Sequence, residues 1–409
     1  MIKKILLLSN VYPAPDLPKG YTPVVHYFAR EWIKIGYQVK VINYDINFPS
    51  FYYKLSRSIN SVISSHLGCE VKMSAVGDLD YTMDQVDISR IAITKFVPHS
   101  LCSKRELQKA YEKSLLCLQK ENFQPDVIIG HWANPCLQIM AMMKSELKIK
   151  TCLITHGADE LDVYGSRANK LLESIDVVGC RSEYIRKKFN EKYGDAVPTF
   201  TCYSGIPEKY VDTSIKKDFS EIRNFIYVGT LISRKFPSSI IPALAKSYKD
   251  EYFSLYYVGV GDEIKKIKDV ANEFDVSEKV FLHGRLQRDK VVEMLDKSDV
   301  FIMISKNEAF GLVYLEAMAR GCITIASRKE GFDGIIQDGV NGFLCEAGNS
   351  EELLFIIDKI RAMDKEQLQT ISNNAINTAF RLTDVKAATM YISSVERLMK
   401  INSQKRILI

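Results

Sequence analysis

The chain of 409 residues is short of the features that mark several classes of protein. Its nine cysteines are scattered and none stands in a Cys-x-x-Cys spacing, so neither a zinc site nor a disulfide framework is indicated and a reducing compartment is expected. No run approaches the roughly 18 to 20 apolar residues of a membrane-spanning helix. The apolar run at 5–8 is too short for a signal-peptide core, so a cytoplasmic location is expected. Charge of one sign is missing too: 55 Lys and Arg against 50 Asp and Glu leave +5, which gives no footprint of a nucleic-acid binder. No Asp-x-Asp closes a strand, since Asp78-Leu79-Asp80 falls in an irregular stretch, and no catalytic metal is expected. Gly259-Val260-Gly261 lacks the third glycine of a dinucleotide fingerprint, which argues against an oxidoreductase.

Apolar residues make up 46% of the chain, enough for two cores. Short β-prone runs at 4–9, 38–44, 126–130, 151–155, 175–180 and 199–203 alternate with helical periodicity, the pattern of a mostly parallel sheet. A second series follows at 224–229, 254–259, 279–283, 300–305 and 322–326. The reading is α/β, with an N-terminal Rossmann-like domain over 1–205 and a C-terminal one over 206–385; a last helix over about 386–409 can pack back on the first domain. Residues 45–100 fit this plan least. Within them 51–63 mixes aromatic and basic residues in one expected helix, either packed on its own domain or turned to an acceptor or lipid surface.

The densest pattern is Ser305-Lys306-Asn307-Glu308-Ala309-Phe310-Gly311-Leu312-Val313-Tyr314-Leu315-Glu316-Ala317-Met318-Ala319-Arg320-Gly321. It follows an apolar strand and opens a helix, so Glu308 falls in the loop above the strand end and Glu316 inside the helix. The amides around Phe310, Gly311 and Leu312 form a helix N-terminus suited to an anion. Two carboxylates beside an anion site need a different partner, and sugar hydroxyls are one, because a carboxylate accepts two hydroxyl protons at once.

Two glutamates in this setting resemble the signature of glycosyltransferase family 4, retaining enzymes of GT-B fold in which two Rossmann-like domains face across a cleft. The resemblance implies that Glu308 contacts the donor sugar and Glu316 the ribose hydroxyls. Ala309 departs from it, since glycine is common there. Tyr227-Val228-Gly229-Thr230-Leu231-Ile232-Ser233-Arg234-Lys235 is similar to the family's first C-domain loop, which implies a diphosphate role for Lys235; Thr230 stands where arginine is frequent, with Arg234 four residues later. His283-Gly284-Arg285-Leu286 resembles a loop near the nucleotide base. In the first half, Thr155-His156-Gly157-Ala158-Asp159 matches the family's His-Gly-x-Asp and implies a sugar-binding or catalytic role for His156, with Asp159 on the acceptor side. Gly20 alone survives of the glycine-rich N-terminal loop, and His131-Trp132, at the end of a strand, is read either as an acceptor contact or as core.

The resemblance therefore implies a sugar transferase that uses a UDP- or GDP-sugar as co-substrate and no cofactor. The implied acceptor is a glycan or lipid-linked molecule in bacterial surface polysaccharide assembly, with peripheral contact at the inner face of the plasma membrane. An inactive GT-B partner subunit and a sugar-nucleotide epimerase are the alternatives.

Overall fold

A computed structural model describes residues 2–17, 23–54, 74–97, 100–194 and 197–407. Contacts divide the chain into two compact units: Met1–Arg181, Ile185–Cys202 and Ala388–Ile409 form unit 1, and Ser182–Tyr184 with Tyr203–Ala387 form unit 2. The end of the chain thus returns to unit 1 through the helix Asp384–Ile407.

Unit 1 is built on eight strands: β1 (Lys4–Ser9), β2 (Gln38–Asn47), β3 (Leu79–Met83), β4 (Val86–Thr94), β5 (Val127–His131), β6 (Lys150–Thr155), β7 (Val177–Cys180) and β8 (Thr199–Thr201). Their order is β3-β4-β2-β1-β5-β6-β7-β8, all parallel apart from β3, which runs antiparallel to β4. Unit 2 carries β9 (Asn224–Val228), β10 (Ser254–Val258), β11 (Val280–Leu282), β12 (Val300–Met303), β13 (Ile323–Ser327) and β14 (Phe343–Cys345) in the order β11-β10-β9-β12-β13-β14, all parallel. Helices cover both faces of such sheets, which is why Ile5 to Leu8 and Val300 to Ile304 read as unbroken apolar runs and are fully buried. Each order reverses once, beside β1 and beside β9, and loops at the carboxyl ends of the strands there are where open α/β sheets bind ligands.

The opposite ends of the strands are tied by aspartates that precede β5, β7 and β12. Asp126 accepts from the amides of Lys3 and Lys4, Asp176 from Thr151, and Asp299 from Arg223 and Asn224, so amides at the start of a neighbouring strand are satisfied.

The hairpin β3–β4 corrects the reading of 45–100 as irregular. Its turn residues Asp84 and Gln85 both have positive φ, at 48° and 65°, as a two-residue hairpin turn demands, but neither is the glycine that would announce it. Asp80 accordingly lies in an edge strand, where it accepts from the Ser89 hydroxyl. Of the aromatic-basic helix expected over 51–63, the helical turn Ser50–Tyr53 is described and 55–73 lies outside the described residues.

Lys217, in the connection into unit 2, is buried, and its Nζ donates to the carbonyls of Leu295, Asp296 and Ser298 at 2.6 to 2.7 Å. Two of these end the helix Arg288–Asp296, whose C-terminus favours a cation. Lys217→Met removes a charged donor from three carbonyls, leaving Leu295 the Ser298 amide and the Cys322 thiol and Ser298 the same thiol, and should cost about 2 kcal/mol of unit 2 stability, read by chemical denaturation. A loss within experimental error contradicts this.

Candidate active site

In unit 2 the loops after β9 and β12 meet at the point where strand order reverses. Gly229 follows β9, and a Cβ added there would sit 3.6 Å from Lys235 Nζ. The Lys235 ammonium lies 3.0 Å from Glu308 Oε2, and both side chains are 14% exposed. This is a shielded ion pair beyond the carboxyl end of β9. Arg234 also braces the Glu308 loop: its Nη1 donates to the carbonyls of Lys306 and Asn307 at 3.2 Å, and its own carbonyl accepts from the Lys306 amide. It ties the Glu308 loop to the β9 loop, across a backbone held at φ 56° at Asn307. From the other side Glu330 accepts the Glu308 amide at 2.8 Å, and burial raises its carboxyl above the ordinary range. Gly331 beside it is obligatory, because a Cβ there would lie 2.5 Å from the backbone of Glu308, Ala309 and Phe310.

Gly311 begins the helix Leu312–Ala319 with φ 80°, and having no side chain it gives the Leu312 and Val313 amides no side-chain cap, while the Tyr314 amide bonds the Gly311 carbonyl. The Phe310 ring is buried against Phe332 and Tyr203, so this residue can offer a ligand its backbone alone. One and a half turns on, Glu316 is buried, and Arg288 grips a single oxygen of it: Nε and Nη2 lie 2.6 and 2.5 Å from Oε1. That leaves Oε2 as the free acceptor. The Arg288 guanidinium also stacks 5.0 Å from the Tyr210 ring. A pocket of about 180 Å³ lies beside these loops, lined by Gly229, Gly259, Val260, Arg285 and Leu286 among others. Gly259 and Gly261 shape it, since a Cβ on either would come within 2.0 Å of the Gly229 or Leu231 carbonyl oxygen.

In unit 1, His156 follows β6 and lies flat on Trp132, the ring centroids 3.8 Å apart and the planes 12° from parallel. Trp132 itself has φ 62°. His131 does not serve an acceptor directly: it is fully buried, with Nδ1 3.1 Å from His156 Nε2. Asp159 is exposed, and its neighbour Glu160 organises the loop by accepting the amides of Ala133 at 2.6 Å and His156 at 2.7 Å. Gly20 lies outside the described residues.

Burial pushes Glu160 from the ordinary 4.5 up to about 7, against the pull of the amides it accepts. A carboxyl whose folded value is raised favours the protonated native state, so this stabilisation is complete below about pH 4.5 and is lost as pH rises through about 7. Glu160→Gln has no proton to lose, and thermal unfolding at pH 5 and pH 8 should therefore differ less in the variant than in the wild type. An equal difference in both contradicts this.

Glu330, Arg288 and Glu160 are not singled out by the sequence as site residues, whereas Trp132 is, together with His131. Arg288, three places after Arg285, and Glu160, adjoining His156-Gly157-Ala158-Asp159, lay next to motifs that were.

Residues 214–378 match the model of the family described as glycosyl transferases group 1. Among characterised relatives, the chain is 28% identical over 282 residues to N-acetyl-alpha-D-glucosaminyl L-malate synthase of Bacillus anthracis, an alignment covering 65% of this chain and 71% of that protein. It is 25% identical over 241 residues to a lipopolysaccharide core biosynthesis glycosyltransferase of Rhizobium meliloti, covering 58% of this chain and 66% of that one. Among solved structures, Anabaena HepE in complex with UDP superposes with a TM-score of 0.67 at 16% identity, over 97% of this chain and 100% of the other. This last likeness is one of fold, two Rossmann-like units of the GT-B class.

Proposed function

We propose that this glycosyltransferase, whose residues 214–378 match the glycosyl transferases group 1, transfers a sugar with retention from a nucleoside diphosphate donor to a glycan or lipid-linked acceptor. The observation that carries this reading is the Lys235–Glu308 pair beside the uncapped helix Leu312–Ala319, with Glu316 held by Arg288 on the same helix. The diphosphate takes Lys235 and the first-turn amides, the ribose diol takes Glu316 Oε2, and the base takes the pocket beside Arg285. Glu308 accepts from hydroxyls of the donor sugar. His156 serves a sugar oxygen.

In the transfer, the bond between the anomeric carbon and the diphosphate oxygen breaks with its electron pair going to the diphosphate. The acceptor oxygen bonds to the same face of that carbon, and its proton passes to the departing diphosphate. Charge grows on the leaving group as this happens, so a fixed cation stabilises the transition state more than the ground state. No protein nucleophile or dedicated general base is assigned.

Acceptors of bacterial surface polysaccharide assembly fit the lipopolysaccharide enzyme among the relatives. The test is to incubate the purified protein with radiolabelled UDP- and GDP-sugars and a bacterial membrane lipid extract. Label reaching the lipid or glycan fraction, with the donor's anomeric configuration kept, supports the reading. Label recovered as an altered sugar nucleotide without any acceptor supports an epimerase instead. The charge offered to the diphosphate is borne by the protein, so transfer should survive EDTA; abolition by EDTA contradicts that part. Peripheral membrane contact is read by flotation with anionic vesicles at low salt, where protein left in the soluble fraction counts against it.

A further inference from the structure

Two interactions behind His156 decide which of its nitrogens holds the proton. His131 Nδ1 lies 3.1 Å from His156 Nε2, and on the other side of the His131 ring Nε2 lies 3.2 Å from the Tyr391 hydroxyl. Tyr391 is in the helix Asp384–Ile407, within the part of it that belongs to unit 1, and its ring packs on Phe28, Trp32 and His131.

Burial pushes the Tyr391 phenol well above the ordinary range, so the proton stays on oxygen. Among the described residues, the hydrogen-bond partner of that hydroxyl is His131 Nε2. A buried donor without an acceptor is rarer in folded proteins than an acceptor with a spare lone pair. The hydroxyl therefore donates to His131 Nε2. Both imidazoles are neutral, because burial, reinforced by the Arg181 guanidinium, pushes them well below the ordinary range, and His131 adds to the effect on His156. A neutral His131 that accepts at Nε2 carries its proton at Nδ1 and donates it to His156 Nε2. A neutral His156 that accepts at Nε2 carries its own proton at Nδ1. The nearby charged groups are committed elsewhere: Glu160 accepts the amides of Ala133 and His156, and Arg181 donates to the Cys202 carbonyl.

We propose that Tyr391 and His131 are positioning residues that hold His156 in its Nδ1–H tautomer, so that the imidazole offers a hydrogen-bond donor to a sugar oxygen and is not a proton-accepting base. The ligand half of this rests on the glycosyltransferase reading; the tautomer does not. It also gives the chain's return to unit 1 a chemical consequence, since a hydroxyl on its last helix orients a proton two side chains away.

The full chain labelled with 15N-histidine is to be measured by long-range 1H–15N correlation, which separates the two tautomers by coupling pattern, with His156→Gln identifying the signal. The expected result is a neutral Nδ1–H His156 throughout about pH 6 to 8, the range in which an ordinary imidazole gains or loses its proton. Tyr391→Phe removes one oxygen, and a mixture containing Nε2–H His156 should then appear; His131→Phe should shift the balance further. A wild-type His156 in the Nε2–H form, a protonated His156 at neutral pH, or a tautomer unchanged in a folded Tyr391→Phe protein overturns the proposal. UDP-glucose and UDP-N-acetylglucosamine are then added as probes. Movement of the Nδ1–H signal supports the ligand half, and no movement at concentrations that saturate diphosphate release contradicts it. If no member of a panel of UDP-, GDP- and ADP-sugars is turned over with a lipid-linked acceptor extract while the tautomer is as stated, it is the transferase reading that has failed.

Discussion

Lys235→Ala is expected to lower kcat for sugar transfer by roughly 10²- to 10³-fold, the usual consequence of removing one preorganised group that stabilises developing charge. The donor KM should change far less, because the interaction strengthens only as the diphosphate departs. The geometry makes Lys235 the cation to remove. Its ammonium stands at the carboxyl end of β9, shielded to 14% exposure, whereas the Arg234 guanidinium is engaged by two carbonyls of the Glu308 loop. Lys235→Arg keeps the charge but brings a planar fork in place of a compact ammonium, so it should recover only part of the loss. Arg234→Ala should instead raise KM, through a Glu308 loop that has lost its tie. If kcat for Lys235→Ala stays within about threefold of the wild type, the transition-state role is wrong.

Glu316→Ala is expected to fail in the complementary way. Arg288 occupies Oε1, and the remaining oxygen is poised for a diol that is bound alike in ground state and transition state. Hydrogen bonds to a charged acceptor contribute about 1.5 to 3 kcal/mol, so donor affinity should fall by roughly 10- to 100-fold while kcat at saturation is largely kept. The variant also leaves the Arg288 guanidinium without its carboxylate, so Arg288→Gln is the companion measurement. If Arg288 acts by orienting Glu316, its loss raises KM in the same direction and the two changes together cost less than their sum. Fully additive effects would mean that Arg288 touches the donor independently.

Much of this site could be read from the chain because its parts are local. Glu308, Gly311 and Glu316 share one strand-loop-helix passage, and Lys235 follows a strand-glycine pair, so residue type and spacing suffice to mark them. What could not be read depends on partners brought close by folding. Arg288 meets Glu316 across 28 residues, Glu330 meets the Glu308 amide across 22, and Tyr391 meets His131 across 260, with no local periodicity marking any of the three. His131 looked equally suited to acceptor or core because it ends a strand; only the packing of Phe28 and Tyr391 around it decides for the core. The β3–β4 hairpin was hidden for a different reason, its Asp84-Gln85 turn holding positive φ without glycine. Lys217 illustrates the same limit for stability: in a charged connecting segment it reads as solvated, yet it closes the end of a helix 78 residues away.

The most direct measurement is release of nucleoside diphosphate from a panel of UDP-, GDP- and ADP-sugars by the purified chain, with and without a lipid-linked acceptor extract, run beside Glu316→Ala. Release that depends on acceptor, favours one nucleotide, and requires a far higher donor concentration in the variant is the predicted result. No release and no binding for any donor, with Glu316→Ala indistinguishable from the wild type, would contradict the assignment of nucleotide-sugar transfer to this site.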